Sequence, residues 1–125
     1  GYNDFEHLSG SNLTANFYYE REQMEVKCRM YAPALNDIEK AIKLSPREPL
    51  LHAEAAALNY RVGHNDQAVS YARQAIALDE QFADAHRILG VCLLENGAKA
   101  EARKHLLRAK ELGDALADGL LKKTE

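Results

Sequence analysis

Identical residues return along this chain at one fixed interval. Gly63 recurs as Gly97 and His52 as His86. Ala34 returns as Ala68 and Ala102, Ala41 as Ala75 and Ala109, and Leu44 as Leu78 and Leu112, every step being 34 residues. A fixed period of this size marks stacked supersecondary units, each burying its apolar face on its neighbours rather than in one central core. Residues 63–97 hold one full period, read as the second helix of one hairpin, a turn, and the first helix of the next.

Within each period the apolar residues fall at helical spacing. Tyr31 opens a helix with Pro33 in its first turn, where a missing N–H costs nothing, and Ala34, Ile38, Ala41 and Ile42 form its apolar stripe. Ser45, Pro46 and Pro49 break the chain, and Pro49 starts a helix that Gly63 ends in a left-handed cap. Asn65 or Asp66 is expected to cap the next helix, carrying Ala68, Tyr71, Ala72, Ala75 and Leu78. Residues 83–96 repeat 49–62, with Leu89 and Gly90 at the close-packing points. Gly97 closes that helix, residues 98–112 follow, Gly113 ends them, and Asp114 is expected to cap a short last helix running to Thr124. Ahead of these units, Thr14 reads as the cap of a first helix reaching about Cys28. Residues 1–14 read as a flexible arm, in which Tyr2, Phe5 and Leu8 could form one apolar edge.

These residues resemble the tetratricopeptide repeat, a helix–turn–helix unit of 34 residues. The resemblance implies an all-α, right-handed superhelical solenoid of three repeats, at about 15–48, 49–82 and 83–116, with a short capping helix at about 114–124. In the third unit His86, Leu89, Gly90, Gly97, Ala102, Leu106, Ala109 and Leu112 fill the motif. The second unit supplies Ala56, Gly63, Ala68, Ala72, Ala75 and Leu78, and the first Tyr18, Tyr31, Ala34, Ile38, Ala41, Leu44 and Pro46. Three residues depart from the pattern, one being Glu80, which replaces the usual proline of the second unit. Glu22 stands where the motif has a small residue, and Arg29 where it often has glycine. A common sub-pattern of the family also implies an ion pair between Arg21 and Asp37 across the first hairpin.

Little in the chain points to chemistry. Its formal charge is −3 with no basic block, so nucleic acid is not expected as a partner, and no apolar run is long enough for membrane insertion. Cys28 and Cys92 sit in helical patterns and read as small buried hydrophobes. His52 and His86 read as stand-ins for a bulky aromatic at the hairpin contact, His64 lies in a turn, and His105 is placed on an outer helix face. No HExxH, CxxC, P-loop or GxSxG occurs. The carboxylates mostly face a base at helical spacing, as Glu101 does His105 and Asp118 does Lys122. No enzyme activity, cofactor or metal is expected.

The resemblance implies instead a protein or peptide partner in a concave groove lined by the first helices of the hairpins. The groove positions carried over are Tyr19, Gln23, Ala53, Ala57, Tyr60, Arg61, Arg87, Val91 and Leu94. Such a surface suits a peptide or helix with an apolar face and some negative charge. Family members that clamp the terminal carboxylate of heat-shock chaperones use lysine, asparagine and arginine at set positions. Here those positions hold Tyr19, Gln23, Ala57, Arg87 and Val91, and only Arg87 has the needed chemistry. The alternative reading is a self-associating element that forms a homodimer through the N-terminal arm. Nothing in the sequence fixes a compartment, cytoplasmic and exported settings both being compatible with it.

Overall fold

The computed structural model describes the backbone of residues 2–125 and the side chains from Ala15 onward. The first helix begins at Tyr2, so Thr14 lies within it and does not cap it, and the apolar edge expected of residues 1–14 rests on side chains outside the described residues. Helices α1 (Tyr2–Lys27), α2 (Tyr31–Leu44), α3 (Pro49–Arg61), α4 (Asn65–Leu78), α5 (Ala83–Glu95), α6 (Lys99–Glu111) and α7 (Ala117–Leu121) follow one another, and a 3-10 turn covers Lys122–Thr124. They pack as hairpins α1–α2, α3–α4 and α5–α6, joined by contacts of α2 with α3 and α4 with α5, while α3 also touches α5 and α7 lies on α6. This is a three-repeat solenoid with a short terminal helix. Among the described residues no helix is long and apolar enough to cross a membrane.

One turn recurs inside every hairpin. After α3, the Gly63 N–H reaches the Tyr60 carbonyl at 3.1 Å and the His64 N–H the Asn59 carbonyl at 2.8 Å, with Gly63 at φ +91°. This pair of bonds satisfies the last carbonyls of a helix whose next residue turns left-handed. Gly97 and Gly113 repeat it at φ +81° and +97°. The first hairpin makes the same turn without glycine. The Arg29 N–H binds the Val26 carbonyl at 3.0 Å, the Met30 N–H binds the Glu25 carbonyl at 2.7 Å, and Arg29 itself sits at φ +61°.

Several local expectations are corrected. Helix α4 begins at Asn65 with His64 in the cap position and no side-chain cap. Asn65 is spent elsewhere: its Nδ2 donates to the Cys92 carbonyl at 3.3 Å and to Asn96 Oδ1 at 2.8 Å. The last helix is only Ala117–Leu121, because Asp114 Oδ1 accepts the Leu116 N–H at 2.8 Å and so closes a turn ahead of the helix instead of capping it. Asp118 pairs with Lys110 at 2.9 Å, not with Lys122, which lies in the 3-10 turn. Cys28 lies just past the end of α1 and is exposed, whereas Cys92 is buried.

The apolar core runs the length of the stack and is built largely of alanine. Ala34, Ala41, Ala55, Ala56, Ala68, Ala72, Ala75, Ala85, Ala102 and Ala109 are all fully buried, beside Ile38, Leu89 and Leu106. Such short side chains fill space only where helix backbones come close. Gly90 marks the tightest point: a Cβ placed there would stand 2.6 Å from Leu106 Cγ and 2.7 Å from its Cδ2. The equivalent of Gly90 in the second repeat is Ala56, and in the first it is Glu22.

Glu22 is therefore a carboxyl at a position meant for a small residue. It is fully buried, and neither carboxyl oxygen has a hydrogen-bond partner within ordinary bonding geometry among the described residues. Burial first, and then the Glu54, Glu25 and Asp37 carboxylates, push its pKa up from 4.5 to about 8. The expected Arg21–Asp37 pair lies beside it and is bidentate, with Arg21 Nε and Nη2 donating to Asp37 Oδ2 and Oδ1 at 2.8 and 2.7 Å. That bond, above all, holds the Asp37 carboxyl below the usual carboxylate range.

Two predictions follow from this hairpin. Arg29→Gly removes the cost of a side chain in left-handed backbone and is expected to stabilise the fold by about 1 kcal/mol, read as a raised midpoint in urea. An unchanged or lowered midpoint would show that the Arg29 side chain contributes more than its backbone costs. For Glu22 the folded pKa is raised, so the folded state binds more protons than the unfolded one. Stability is full below pH 4.5 and is lost as pH rises to about 8, by at most roughly 1.4 kcal/mol per pH unit. Glu22→Gln is expected to flatten this slope, so that it overtakes the parent chain in stability towards pH 9. Parallel pH–stability curves for the two proteins would refute the assignment.

Candidate functional site

The first helices of the second and third hairpins stand side by side, and the chain opens a cleft between them. It has a volume of about 730 Å³ and is lined from α3 by Ala57, Tyr60 and Arg61, and from α5 by Arg87, Ile88, Val91 and Glu95. Gly63 and Asn65 close one end. Its floor is alanine and branched aliphatic surface, and its polar groups sit at the edges. A second hollow of about 300 Å³ continues past α5 towards the end of the chain, where Tyr60, Val91 and Leu94 meet Lys99, Leu120 and Lys123.

Local packing fixes most of these side chains. The Tyr60 hydroxyl donates to Glu95 Oε1 at 3.2 Å, tying α3 to α5. Burial, and then this carboxylate, raise the Tyr60 pKa, so the phenol stays a neutral donor. Arg87 reaches the other way. Its Nε donates to Asp114 Oδ2 at 2.8 Å, and its Nη2 lies 3.5 Å from Asp84 Oδ1. The Asp114 side chain is only 5 % exposed, so this pair locks the third hairpin to the turn before α7. Arg61 differs from both: it is exposed, and among the described residues no carboxylate lies within 4 Å of its guanidinium.

The nine positions expected to line the groove are thus divided. Ala57, Tyr60, Arg61, Arg87 and Val91 line the cleft, and Leu94 lies in the adjoining hollow with Tyr60 and Val91. Ala53 does not reach the surface: it is buried with Ala75 and Ala85 where the second and third hairpins meet. Tyr19 and Gln23 lie on α1, outside both hollows. Tyr19 packs against the core of the first hairpin, and burial, then Glu54 and Glu22, raise its pKa. Arg87 is in place, but its charge is already met by Asp114.

Four cleft residues were missed in the sequence: Gly63, Asn65, Ile88 and Glu95. Glu95 had a signal, since it stands 34 residues after Arg61 and so faces the same side one repeat on. Asn65 had none, because as a candidate cap it looked fully used.

His52 and His86 stand at the hairpin contact as expected, and His105 differs from expectation. His52 Nε2 donates to the Pro46 carbonyl and His86 Nε2 to the Glu80 carbonyl, both at 2.8 Å, so one bond recurs at one repeat's spacing. Each ring faces a ring on the second helix of its hairpin, His52 facing Tyr71 and His86 facing His105. His105 is therefore turned inward rather than lying on an outer face. Its Nδ1 lies 3.2 Å from His86 Nδ1, and its Nε2 3.8 Å from Glu101 Oε2.

Comparison with known proteins points the same way as the fold. The tetratricopeptide repeat family matches residues 54–117, just over half of the chain. Small glutamine-rich tetratricopeptide repeat-containing protein 2 of Mycosarcoma maydis is 35 % identical over 72 residues, which cover 58 % of this chain and 20 % of that protein. TPR repeat-containing thioredoxin TTL4 of Arabidopsis thaliana is 36 % identical over 76 residues, covering 61 % of this chain and 11 % of that protein. The chain thus spans a fifth or less of the length of these curated relatives. Among solved structures, the first TPR of Spaghetti (RPAP3) bound to the HSP90 peptide SRMEEVD superposes with a TM-score of 0.88 at 23 % identity, covering 94 % of both chains.

Proposed function

Since the chain belongs to the tetratricopeptide repeat family, we propose that it is an interaction scaffold holding an extended, acidic peptide segment in the cleft between α3 and α5. The observation that carries this reading is Arg61, an exposed cation without a carboxylate partner among the described residues, at the rim of an apolar-floored cleft. Lys99 and Lys123 border the continuing hollow, so a peptide running along α5 would pass from one basic edge to the next. The apolar floor of Ala57, Ile88 and Val91 would take its aliphatic side chains.

The Spaghetti domain holds an acidic peptide of a chaperone. Acidic character transfers well to the cleft described here, and the mode of capture transfers poorly. The carboxylate-clamp positions hold Tyr19, Gln23, Ala57, Arg87 and Val91. The one cation among them is bound to Asp114, and Tyr19 and Gln23 lie away from the cleft. The fitting ligand is therefore an internal acidic segment, recognised along its side chains and not by its end.

Selection of a displayed peptide library on the protein, followed by fluorescence polarisation of the enriched sequences, tests this. Enriched peptides are expected to be acidic and to bind equally with free or amidated C-termini. Arg61→Glu, a change at an exposed side chain, is expected to weaken them at least about tenfold, or 1.4 kcal/mol. Unchanged affinity in Arg61→Glu, or binding that needs a free C-terminal carboxylate, would overturn the proposal.

A further inference from the structure

Arg61 and Glu95 are the last residues of the two helices that wall the cleft, Arg61 ending α3 and Glu95 ending α5. The hydrogen bond from the Tyr60 hydroxyl to Glu95 Oε1, at 3.2 Å, ties these two ends together, so a cation and a carboxylate share one end of the cleft. They do not pair with each other. Among the described residues no cation lies within 4 Å of the exposed Glu95 carboxylate, although Lys99 and Lys123 border the same hollow. Arg87 stands roughly two helical turns before Glu95, and its charge is met by Asp114. The cleft wall therefore carries one unpaired cation and one unpaired anion. Glu95 is also placed against its own helix. The C-terminal end of a helix favours a cation. Helix α3 ends on Arg61, and α6 has Arg108 and Lys110 in its last turn, whereas α5 has no base there and ends on this carboxylate. The fold gains nothing from the charge of Glu95, and a ligand cation would.

We propose that Glu95 determines specificity in this cleft: the acidic segment held by Arg61 carries a lysine or arginine directly beside its acid, and Glu95 selects that base. The inference rests on the peptide-binding reading of the cleft and adds a second charge to the motif it reads. Successive side chains of an extended peptide point to opposite sides. An acid turned towards Arg61 on α3 therefore turns its neighbour towards α5, where Glu95 stands. A carboxylate accepts several hydrogen bonds, so Glu95 can receive a ligand base without releasing the Tyr60 hydroxyl. The α5 dipole adds to its pull on a cation. A segment with acids alone would meet Arg61 and be repelled by Glu95, and one with bases alone would suffer the reverse. Only an adjacent pair of opposite charges satisfies both walls, and a site that penalises the alternatives in this way discriminates among ligands of similar affinity. Further acids of the segment would lie past Glu95, at Lys99 and Lys123.

The displayed-peptide selection, run in parallel on the full chain and on Glu95→Gln, separates this inference from the reading beneath it. On the parent chain it is expected to enrich acidic peptides with Lys or Arg next to one acid. On Glu95→Gln the acid is expected to stay enriched and the base preference to vanish. Glutamine keeps an acceptor for Tyr60, and the lost carboxylate was opposed by the α5 dipole, so the melting temperature of Glu95→Gln is expected to be unchanged or slightly raised. In fluorescence polarisation, replacing the base of an enriched peptide by norleucine is expected to weaken binding to the parent at least about threefold, the scale of an exposed ion pair. The same replacement is expected to matter far less to Glu95→Gln. Acidic peptides with no base beside the acid, or an equal loss on both proteins, would overturn the role of Glu95 and leave the acidic-peptide reading standing. A selection that enriches no acidic peptides would overturn both. If Glu95→Gln fails to fold, the norleucine comparison on the parent chain decides alone, by the same threefold criterion.

Discussion

The two helices of a hairpin can come together only where one side chain makes room, and the rest of this structure depends on that contact. At Gly90 the backbone of α5 approaches Leu106 so closely that even a methyl group would sit 2.6 Å from Leu106 Cγ. A small residue against a larger one lets the alanine-rich faces of α5 and α6 pack without voids, and packed interiors tolerate little departure from such a fit. In the second repeat Ala56 and Ala72 share one buried cluster at the same two positions. In the first, the same place holds Glu22. The consequence is electrostatic: a carboxyl enters where nothing can solvate it, and its ordinary charge at neutral pH becomes costly.

Closely packed hairpins, repeated at constant geometry, fix where the cleft lies. Once α3 and α5 stand side by side, residues 27 to 35 positions apart become lateral neighbours across the repeat boundary. Tyr60 meets Glu95, Asn65 meets Asn96 and the Cys92 carbonyl, and on the second helices Arg73 meets Glu101 at 3.0 Å. These bonds tie the walls of the cleft together. Arg87 belongs to this framework through Asp114, whereas Arg61 has no carboxylate within 4 Å among the described residues. The difference between the two arginines lies in what surrounds them, since both occupy first helices that face the same cleft.

How much of this was readable from the chain follows from the same division. The period, the glycine turns at Gly63, Gly97 and Gly113 and the alanine positions are properties of the backbone path, and a repeated path leaves a repeated sequence. Arg29 was legible as a departure, but its backbone was not: the turn is so strongly required by the packing of α1 on α2 that an arginine adopts φ +61° in place of glycine. Ala53 was assigned to the groove because the family resemblance carried that position over. It is buried because the third hairpin, at Ala85, closes over it. Asp114 read as a cap because one oxygen does accept a backbone N–H nearby, while its other oxygen holds an arginine 27 residues earlier in the chain. Side chains that act between repeats have no local signature.

Histidine shows why a repeat can hide chemistry from a linear search. The facing positions of each hairpin are 19 residues apart, Tyr18 and Asp37, then His52 and Tyr71, then His86 and His105, and only the second and third pairs are two rings. That interval matches no short ligand motif, and comparing His52 with His86 compares two equivalent positions that never face each other. The meaningful partner is on the second helix of the same hairpin. There the identity changes from repeat to repeat while the scaffold does not. In the first hairpin Asp37 accepts an arginine, in the second Tyr71 packs against a histidine, and in the third two imidazoles share a proton. A solenoid keeps its turns and its small buried residues constant because each unit must stack on the next. The positions left free to vary are those where one helix of a hairpin looks across at the other, and new chemistry can arise there at little cost to the stack.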